Sequence, residues 1–296
     1  MSALLNDLSV PALITAVCFL IGIAIEHALP GPIRPTQRTT VLNALHAMAY
    51  IVIQTGAMVP FRASLILLVG ALGARPFELP DSGPGLVGSA LLFLLAMDFG
   101  EYAFHRLQHA WAPLWRLHAL HHSDPDMNVT TVYRHPWPDL FIKTILIVPV
   151  VALFLKPGIN AQAIYALIAL FNYFTHMSTR LSLGPFWFVL NNPRYHRVHH
   201  SIDPADHGWN YAALLPLFDL VFGTARRPDP DRHPQTGVAE LEAPTSLVAM
   251  LSWPLLAVPR SARGVVQDDA ERVAFAGPNP ADAVAQPRPV PAPAAL

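Results

Sequence analysis

The sequence contains three clusters of histidine whose spacing suits metal binding. One is an HxxxH pair and two are HxxHH triplets, and together they comprise His105, His109, His118, His121, His122, His196, His199 and His200. Residues three and four positions apart share one face of a helix, so each cluster presents its imidazoles to one point if its segment is helical. His176, at the end of a later apolar stretch, raises the number of such histidines to nine.

Nine histidines suggest a particular chemistry. Neutral imidazole is a good ligand for iron, copper, nickel and zinc, and one such ion takes about four to six ligands. Nine imidazoles exceed the needs of one ion and fit two. A pair of redox-active iron ions held by nitrogen can activate O2 and remove hydrogen from an unactivated C–H bond, so the sequence predicts an oxidative metal centre.

Acidic residues stand beside these clusters. Metal-bound histidines usually donate their second N–H to a carboxylate or a carbonyl, which fixes the tautomer of the ring. The sequence therefore predicts supporting roles for Asp98, Glu101, Asp124 and Asp203.

The composition indicates that the elements carrying these histidines lie in a membrane. Hydrophobic residues make up 53% of the 296 residues and charged residues only 13%, whereas soluble domains carry about 25% charge. The net charge of -1 argues against a nucleic-acid partner. We expect an all-α, polytopic helical bundle with a histidine-rich helical cap. Its apolar stretches are 10–29, 41–74, 85–103 and a hairpin of 139–156 with 160–177, followed by a short stretch at 245–258.

The basic residues predict an orientation. The two polar blocks at 104–138 and 179–243 contain most of the arginines, and the opposite turns offer little beyond Arg75 and Lys156. The positive-inside rule places both blocks, and so all histidine clusters, on the cytoplasmic side. We expect a multi-pass protein of the bacterial inner membrane. The stretch 41–74, interrupted by Pro60, is either one long kinked span or a tight pair of short helices.

The histidine series resembles the fatty acid hydroxylase/sterol desaturase superfamily. The likeness extends to Arg134-His135-Pro136 and to Asn210-Tyr211, Phe218-Asp219 and Phe222-Gly223-Thr224, and it covers roughly residues 90–225. It implies an integral-membrane, non-haem di-metal oxygenase with cytoplasm-facing histidine ligands. The sequence departs from the family's pattern at two positions, where Ala212 replaces a glycine and Phe218 replaces a tryptophan.

The resemblance also assigns roles to single residues. It implies that the eight clustered histidines are ligands and that His176 occupies the ligand position on the intervening hairpin. Some members carry another histidine one turn earlier, where this chain has Asn172. His135 and Asn210 are further site candidates, the first in a segment loosely like the family's RxHP element and the second in an NYG-like loop.

These features define the predicted organisation and function. We expect N-terminal membrane helices over 1–89, the catalytic region over 90–225, an interfacial segment over 226–262 and a disordered Ala/Pro-rich tail over 263–296. The predicted enzyme uses two iron ions, for which zinc can substitute on purification. O2 is its co-substrate, and electrons come from a ferredoxin- or cytochrome b5-type chain with its reductase. The lipid substrate enters from the bilayer and is hydroxylated or desaturated at an aliphatic C–H.

Two other hypotheses stay open at this point. One is a membrane zinc hydrolase, although a single catalytic zinc needs only three protein ligands and no HExxH motif is present. The other is a transporter that binds a metal or haem, which would place histidines deep within the spans.

Overall fold

The computed structural model describes residues 2–74, 76–239 and 241–255. The predicted disordered tail over 263–296 and the end of the segment 226–262 lie outside these residues. Among the described residues the long elements are helices, which confirms the expected all-α class. The helices are α1 (Ser2–Ala28), α2 (Gln37–Ile53), α3 (Val59–Ala71), α4 (Gly85–Ala110), α5 (Ala112–His122), α6 (Trp137–Phe154), α7 (Ile159–Ala169), α8 (Phe171–Thr175), α9 (Pro193–His199), α10 (Leu217–Val221) and α11 (Leu247–Leu251).

Four of the described helical segments are long and apolar enough to cross a membrane. They are Leu8–Ala28 of α1, the continuous run Gln37–Ala71, α4 and α6. Their surfaces carry exposed large apolar side chains, such as Leu20 at 68% and Leu67 at 73% exposure, as expected for a lipid-facing surface. The protein is an integral membrane protein.

The stretch around Pro60 is one continuous helical run and not a pair of separate helices. A π-helical turn at Gln54–Met58 joins α2 to α3, and Pro60 lies in the first turn of α3. Proline has no N–H to donate and crowds the preceding turn, and a wider turn is one way in which a helix absorbs that interruption.

The predicted hairpin is formed by α6 and by a return limb that is itself interrupted. Its turn is tied to the chain between α3 and α4, because β1 (Phe77–Glu78) pairs in parallel with β2 (Leu155–Lys156). The return limb consists of α7 and α8, which meet at Leu170. This limb ends at His176, the C-cap of α8, and brings the chain back to the end of the bundle where α4 ends.

The most deeply buried polar residues lie in a cap at this end of the bundle. Arg134 is almost fully buried, and its guanidinium donates to Leu120 O at 3.0 Å, Asn43 Oδ1 at 2.9 Å and Ser123 Oγ at 3.0 Å. Asn43 in turn donates to Asp124 at 2.8 Å. A network that is satisfied on every side fixes buried groups well, so α2 is held firmly against the end of α5.

Candidate metal centre

All nine predicted histidines converge in two adjacent groups. The five-histidine group contains His105, His109, His118, His122 and His199, and the four-histidine group contains His121, His176, His196 and His200. Within each group the ligand atoms lie within 4.8 Å of one another. The groups touch through the rings of His122 and His200, which stack with centroids 4.3 Å apart.

Each HxxHH motif divides its histidines between the two groups. The i, i+4 pair of α5, His118 and His122, joins the five-histidine group, and His121 joins the other. The motif at α9 does the reverse, since His196 and His200 join the four-histidine group and His199 crosses over. Helix periodicity explains the division, because residues four apart point nearly alike and the residue between them is displaced around the axis.

Backbone carbonyls orient three of the rings. His105 Nδ1 lies 2.8 Å from Tyr211 O, His199 Nδ1 lies 2.9 Å from Trp209 O, and His176 Nδ1 lies 3.0 Å from Asn172 O. A carbonyl oxygen only accepts hydrogen bonds, so these Nδ1 atoms carry the proton. Each Nε2 atom is thereby left with a lone pair that faces its group.

The ring nitrogens that face one another suit a metal ion. In the four-histidine group, Nε2 of His176 lies 3.1 Å from that of His196 and 3.3 Å from that of His121. In the five-histidine group, Nε2 atoms of His105, His122 and His199 are buried without a hydrogen-bond partner. Buried polar atoms are rarely left unsatisfied in a native protein, and a shared cation satisfies several lone pairs at once. The donor set therefore fits two nitrogen-bound metal ions.

Burial also keeps the imidazoles in the form that binds metal. It lowers the pKa of His118, His122 and His199 well below the ordinary histidine value, and the neighbouring histidines lower it further. The pKa values of His121, His196 and His200 are lowered for the same reasons, desolvation being the largest cause. Burial lowers the pKa of His176 to about 4. These rings are neutral near pH 7 and keep a lone pair for coordination.

The loop at 209–212 is a supporting element that the histidine spacing does not reveal. Asp219 is fully buried and accepts hydrogen bonds from Tyr211 N at 2.9 Å, Ala212 N at 2.7 Å and Tyr195 Oη at 2.9 Å. Burial raises the pKa of this carboxyl to about 6. Asp219 therefore holds the loop whose carbonyls orient His105 and His199. The only signal for it in the sequence is its place in the Phe218-Asp219 motif.

Asn210 lies in the same loop and supports the centre through the backbone. Its φ of 62° is in the left-handed region, and its Nδ2 donates to Tyr195 O at 3.0 Å and to Arg226 O at 3.1 Å. The Oδ1 atom accepts from Arg226 N at 2.7 Å. This conformation turns the carbonyls on either side of Asn210 toward two histidines of the five-histidine group.

The predicted carboxylates have other partners. Asp98 accepts from Leu214 N at 2.9 Å and Leu215 N at 3.1 Å, so it fastens α4 to the loop region. Asp124 accepts from the side chain of Asn43, as described above, and also from Thr131 Oγ1 at 2.7 Å.

The other two acids form ion pairs. Glu101 pairs with Lys143 at 3.1 Å, and Asp203 pairs with Arg232 at 2.6 Å. The partners described for these four acids are groups other than histidine, and their direct support of the rings stays a prediction. At three of the nine rings, those of His105, His176 and His199, a backbone carbonyl occupies the outer nitrogen.

Two further candidates lie beside the groups and not within them. The ring of His135 stacks on that of His121 with centroids 4.1 Å apart, and its Nδ1 is 3.5 Å from the carboxylate of Asp139. Asn172 reaches His176 through its backbone carbonyl. The four-histidine group thus lacks an i, i+4 counterpart to the His105 and His109 pair of the other group.

Comparison with known proteins accords with this geometry. Residues 90–224 of the chain match the family described as fatty acid hydroxylase. The match includes all nine histidines. The resemblance seen in the sequence is confirmed.

Several curated proteins are similar to about half of the chain. Alkylglycerol monooxygenase from Homo sapiens is 35% identical over 150 residues, which are 51% of this chain and 33% of that protein. An ornithine lipid hydroxylase from Rhizobium tropici is 32% identical over 149 residues, or 50% of this chain and 45% of that protein. The chain spans less than half the length of these relatives. No solved structure matches it significantly.

Proposed function

We propose that this protein is a membrane-bound, non-haem di-iron oxygenase that hydroxylates an aliphatic C–H of a lipid. The observation that carries the proposal is the convergence of nine imidazoles, eight of them buried, into two touching groups. Two relatives are named alkylglycerol monooxygenase and ornithine lipid hydroxylase, and these names support hydroxylation over desaturation.

In this proposal the histidines hold the ions, and other residues of the chain orient the histidines. The five- and four-histidine groups would each hold one iron. When bound, the two irons supply the activation of O2 and the removal of hydrogen from an aliphatic C–H. The carbonyls of Trp209, Tyr211 and Asn172 hold the proton of three ligands on Nδ1, which keeps Nε2 available. Burial of the rings keeps bulk water from the centre.

The placement of the centre supports a lipid substrate. His105 and His109 are on the last two turns of α4, one of the four candidate spans, so the centre lies where the bundle meets the cap. An apolar chain in the bilayer reaches this level without leaving lipid. We propose that the cap faces the cytoplasm, as the arginines of the two polar blocks indicate. Electrons come from an external carrier, and the membrane is a bacterial inner membrane.

Oxygen labelling in cells tests the reaction. Cells producing the wild-type chain under 18O2 should contain a lipid with one added 18O atom, measured by mass spectrometry, and cells producing His122→Ala should lack it. His27→Ala is the matched control, because His27 is exposed on α1 and outside both groups. Labelled lipid in the His122→Ala cells at the wild-type level would refute the proposal.

Metal analysis separates the alternatives. Protein purified without oxygen should contain about two irons per chain, and His122→Ala should contain fewer. One zinc per chain with no iron after native-level expression would favour the hydrolase hypothesis. Haem absorbance would favour the haem carrier.

A further inference from the structure

A cavity lined by arginines lies outside both histidine groups. Its volume is about 220 Å³, and its walls are formed by Pro32, Arg180, Arg194, Pro230, Asp231, Arg232 and His233. Pro32 follows the end of α1, Arg180 follows α8, and Arg194 is in the first turn of α9. We call it the arginine cavity.

Helix α9 separates the arginine cavity from the histidines. Arg194 and Arg197 are three residues apart and share one face of α9, whereas His196, His199 and His200 point from the opposite face. The cavity is therefore a separate site behind the wall that carries three of the proposed ligands.

The positive charge of the arginine cavity is only partly neutralised. Arg232 is paired with Asp203 and Asp206, each at 2.6 Å. Arg180 and Arg194 form no ion pair with any carboxylate of the described residues. Asp231 is the only acidic residue among the lining residues. A bound anion would therefore neutralise positive charge that the lining residues leave unpaired.

The arginine cavity is also preorganised. Arg194 donates from Nε to Arg180 O at 3.2 Å and from Nη1 to Pro230 O at 2.6 Å, which fixes its guanidinium at the wall. Behind the wall, Arg197 is 1% exposed, and its Nη1 and Nη2 atoms have no hydrogen-bond partner in the described structure. A fixed guanidinium loses little conformational entropy when it binds an oxyanion.

His233 is a half-buried residue of the cavity wall near these arginines. Its pKa is lowered to about 3, first by burial and then by the charges of Arg197, Arg194 and Arg180. Its Nε2 atom is buried without a hydrogen-bond partner. The positive charges of these three arginines therefore act on His233 in the cavity wall, although Asp231 also lines the cavity.

We propose that the arginine cavity binds a phosphate-type oxyanion, presented either by a lipid headgroup or by a soluble phosphate compound. Arginine forks bind phosphate oxygens with short, charge-assisted hydrogen bonds. The concave shape and small volume suit one compact anionic group. The site is independent of the proposed hydroxylation, because none of its lining residues belongs to either histidine group.

Two probes test the proposal and distinguish the sources of the anion. Binding of inorganic phosphate to detergent-solubilised protein is measured by calorimetry at constant ionic strength. Retention of phosphatidylglycerol against phosphatidylcholine is measured by native mass spectrometry of protein released from nanodiscs containing both. We expect the wild type to bind at least one of the two probes. Binding of inorganic phosphate would indicate a soluble ligand, and binding of phosphatidylglycerol alone would indicate a lipid headgroup.

The variants compare an arginine of the cavity with a matched one elsewhere. Arg180→Gln should weaken binding at least about tenfold, and it should fold, because its side chain is exposed and its backbone carbonyl still holds Arg194. Arg227→Gln removes the same charge from an exposed residue outside the lining and should change binding less than about twofold. An equal loss in both variants, or no binding of either probe, would overturn the proposal.

Discussion

At the scale of single residues, Asn210 links backbone conformation to the metal centre. It is the only non-glycine residue with positive φ among those described. Asparagine tolerates this region better than most residues, whereas a residue with an ordinary Cβ pays about 1–2 kcal/mol. Its side chain also makes three hydrogen bonds to the backbone.

Substitution of Asn210 should separate these two contributions. Asn210→Gly keeps the conformation and loses the side-chain bonds, so we expect a loss of about 1–2 kcal/mol. Asn210→Ala adds backbone strain, for a loss of about 3 kcal/mol, and should lower bound iron further. Thermal unfolding measures the stability of the two variants, and metal analysis measures their bound iron. Equal melting temperatures for the two variants would contradict the strain argument.

Asn172 is a candidate position for a fifth ligand to the four-histidine group. It is four residues before His176, the spacing that joins His105 to His109. Asn172→His should slow chelator-driven loss of metal about tenfold, because an added ligand raises affinity. Gln162→His on α7 adds a histidine away from both groups and should have no effect. Unchanged metal loss in Asn172→His would show that this position faces away from the group.

At the scale of elements, close packing of α1 fixes one side of the cap. A Cβ atom on Gly22 would lie 2.4 Å from Val129 Cγ2 and 2.8 Å from Val129 Cβ. Val129 is fully buried in the short turn that follows α5, so it has little room to move. The absence of a side chain at Gly22 therefore permits α1 to contact this turn.

We expect Gly22→Ala to destabilise the protein by about 1–3 kcal/mol through overpacking. Gly70→Ala in α3 is the matched control, because nothing lies within 4 Å of its added Cβ and helix propensity favours alanine. The melting temperature should fall only in the first variant, and Val129→Ala should restore part of it. A fall of the same size in Gly70→Ala would show that the effect is not due to packing.

The helices were predictable from the sequence to different degrees. Hydropathy predicts α1 and most of α4 well, because the part of a helix that crosses the bilayer core must be predominantly apolar. It does not predict the interruption at Leu170 in the return limb, which is apolar on both sides of that residue. Hydropathy alone is similarly ambiguous at Pro60, where the π turn keeps the helix continuous.

At the scale of the whole molecule, metal binding should contribute to stability. The nine imidazoles that form the two groups come from α4, α5, α9 and the end of α8. An ion that binds the folded chain and not the unfolded one stabilises it by mass action. Removing iron with a chelator should therefore lower the melting temperature, and anaerobic addition of Fe2+ should restore it.

A variant with both His121→Ala and His122→Ala gives the control for metal removal, since it lacks one ligand in each group. Its melting temperature should respond less to the chelator than that of the wild type. If the wild type melts at the same temperature with and without chelator, the groups do not hold a stabilising ion.

The sequence by itself determined the membrane class, the apolar spans and the nine histidines, because hydropathy and helical spacing are local properties of the chain. Only the tertiary structure decided how the histidines divide into groups of five and four, since that depends on how α5 and α9 face each other. The tertiary structure also decided that the backbone carbonyls of Trp209, Tyr211 and Asn172 orient three of the rings. Every residue has a backbone carbonyl, so no residue type marks this role.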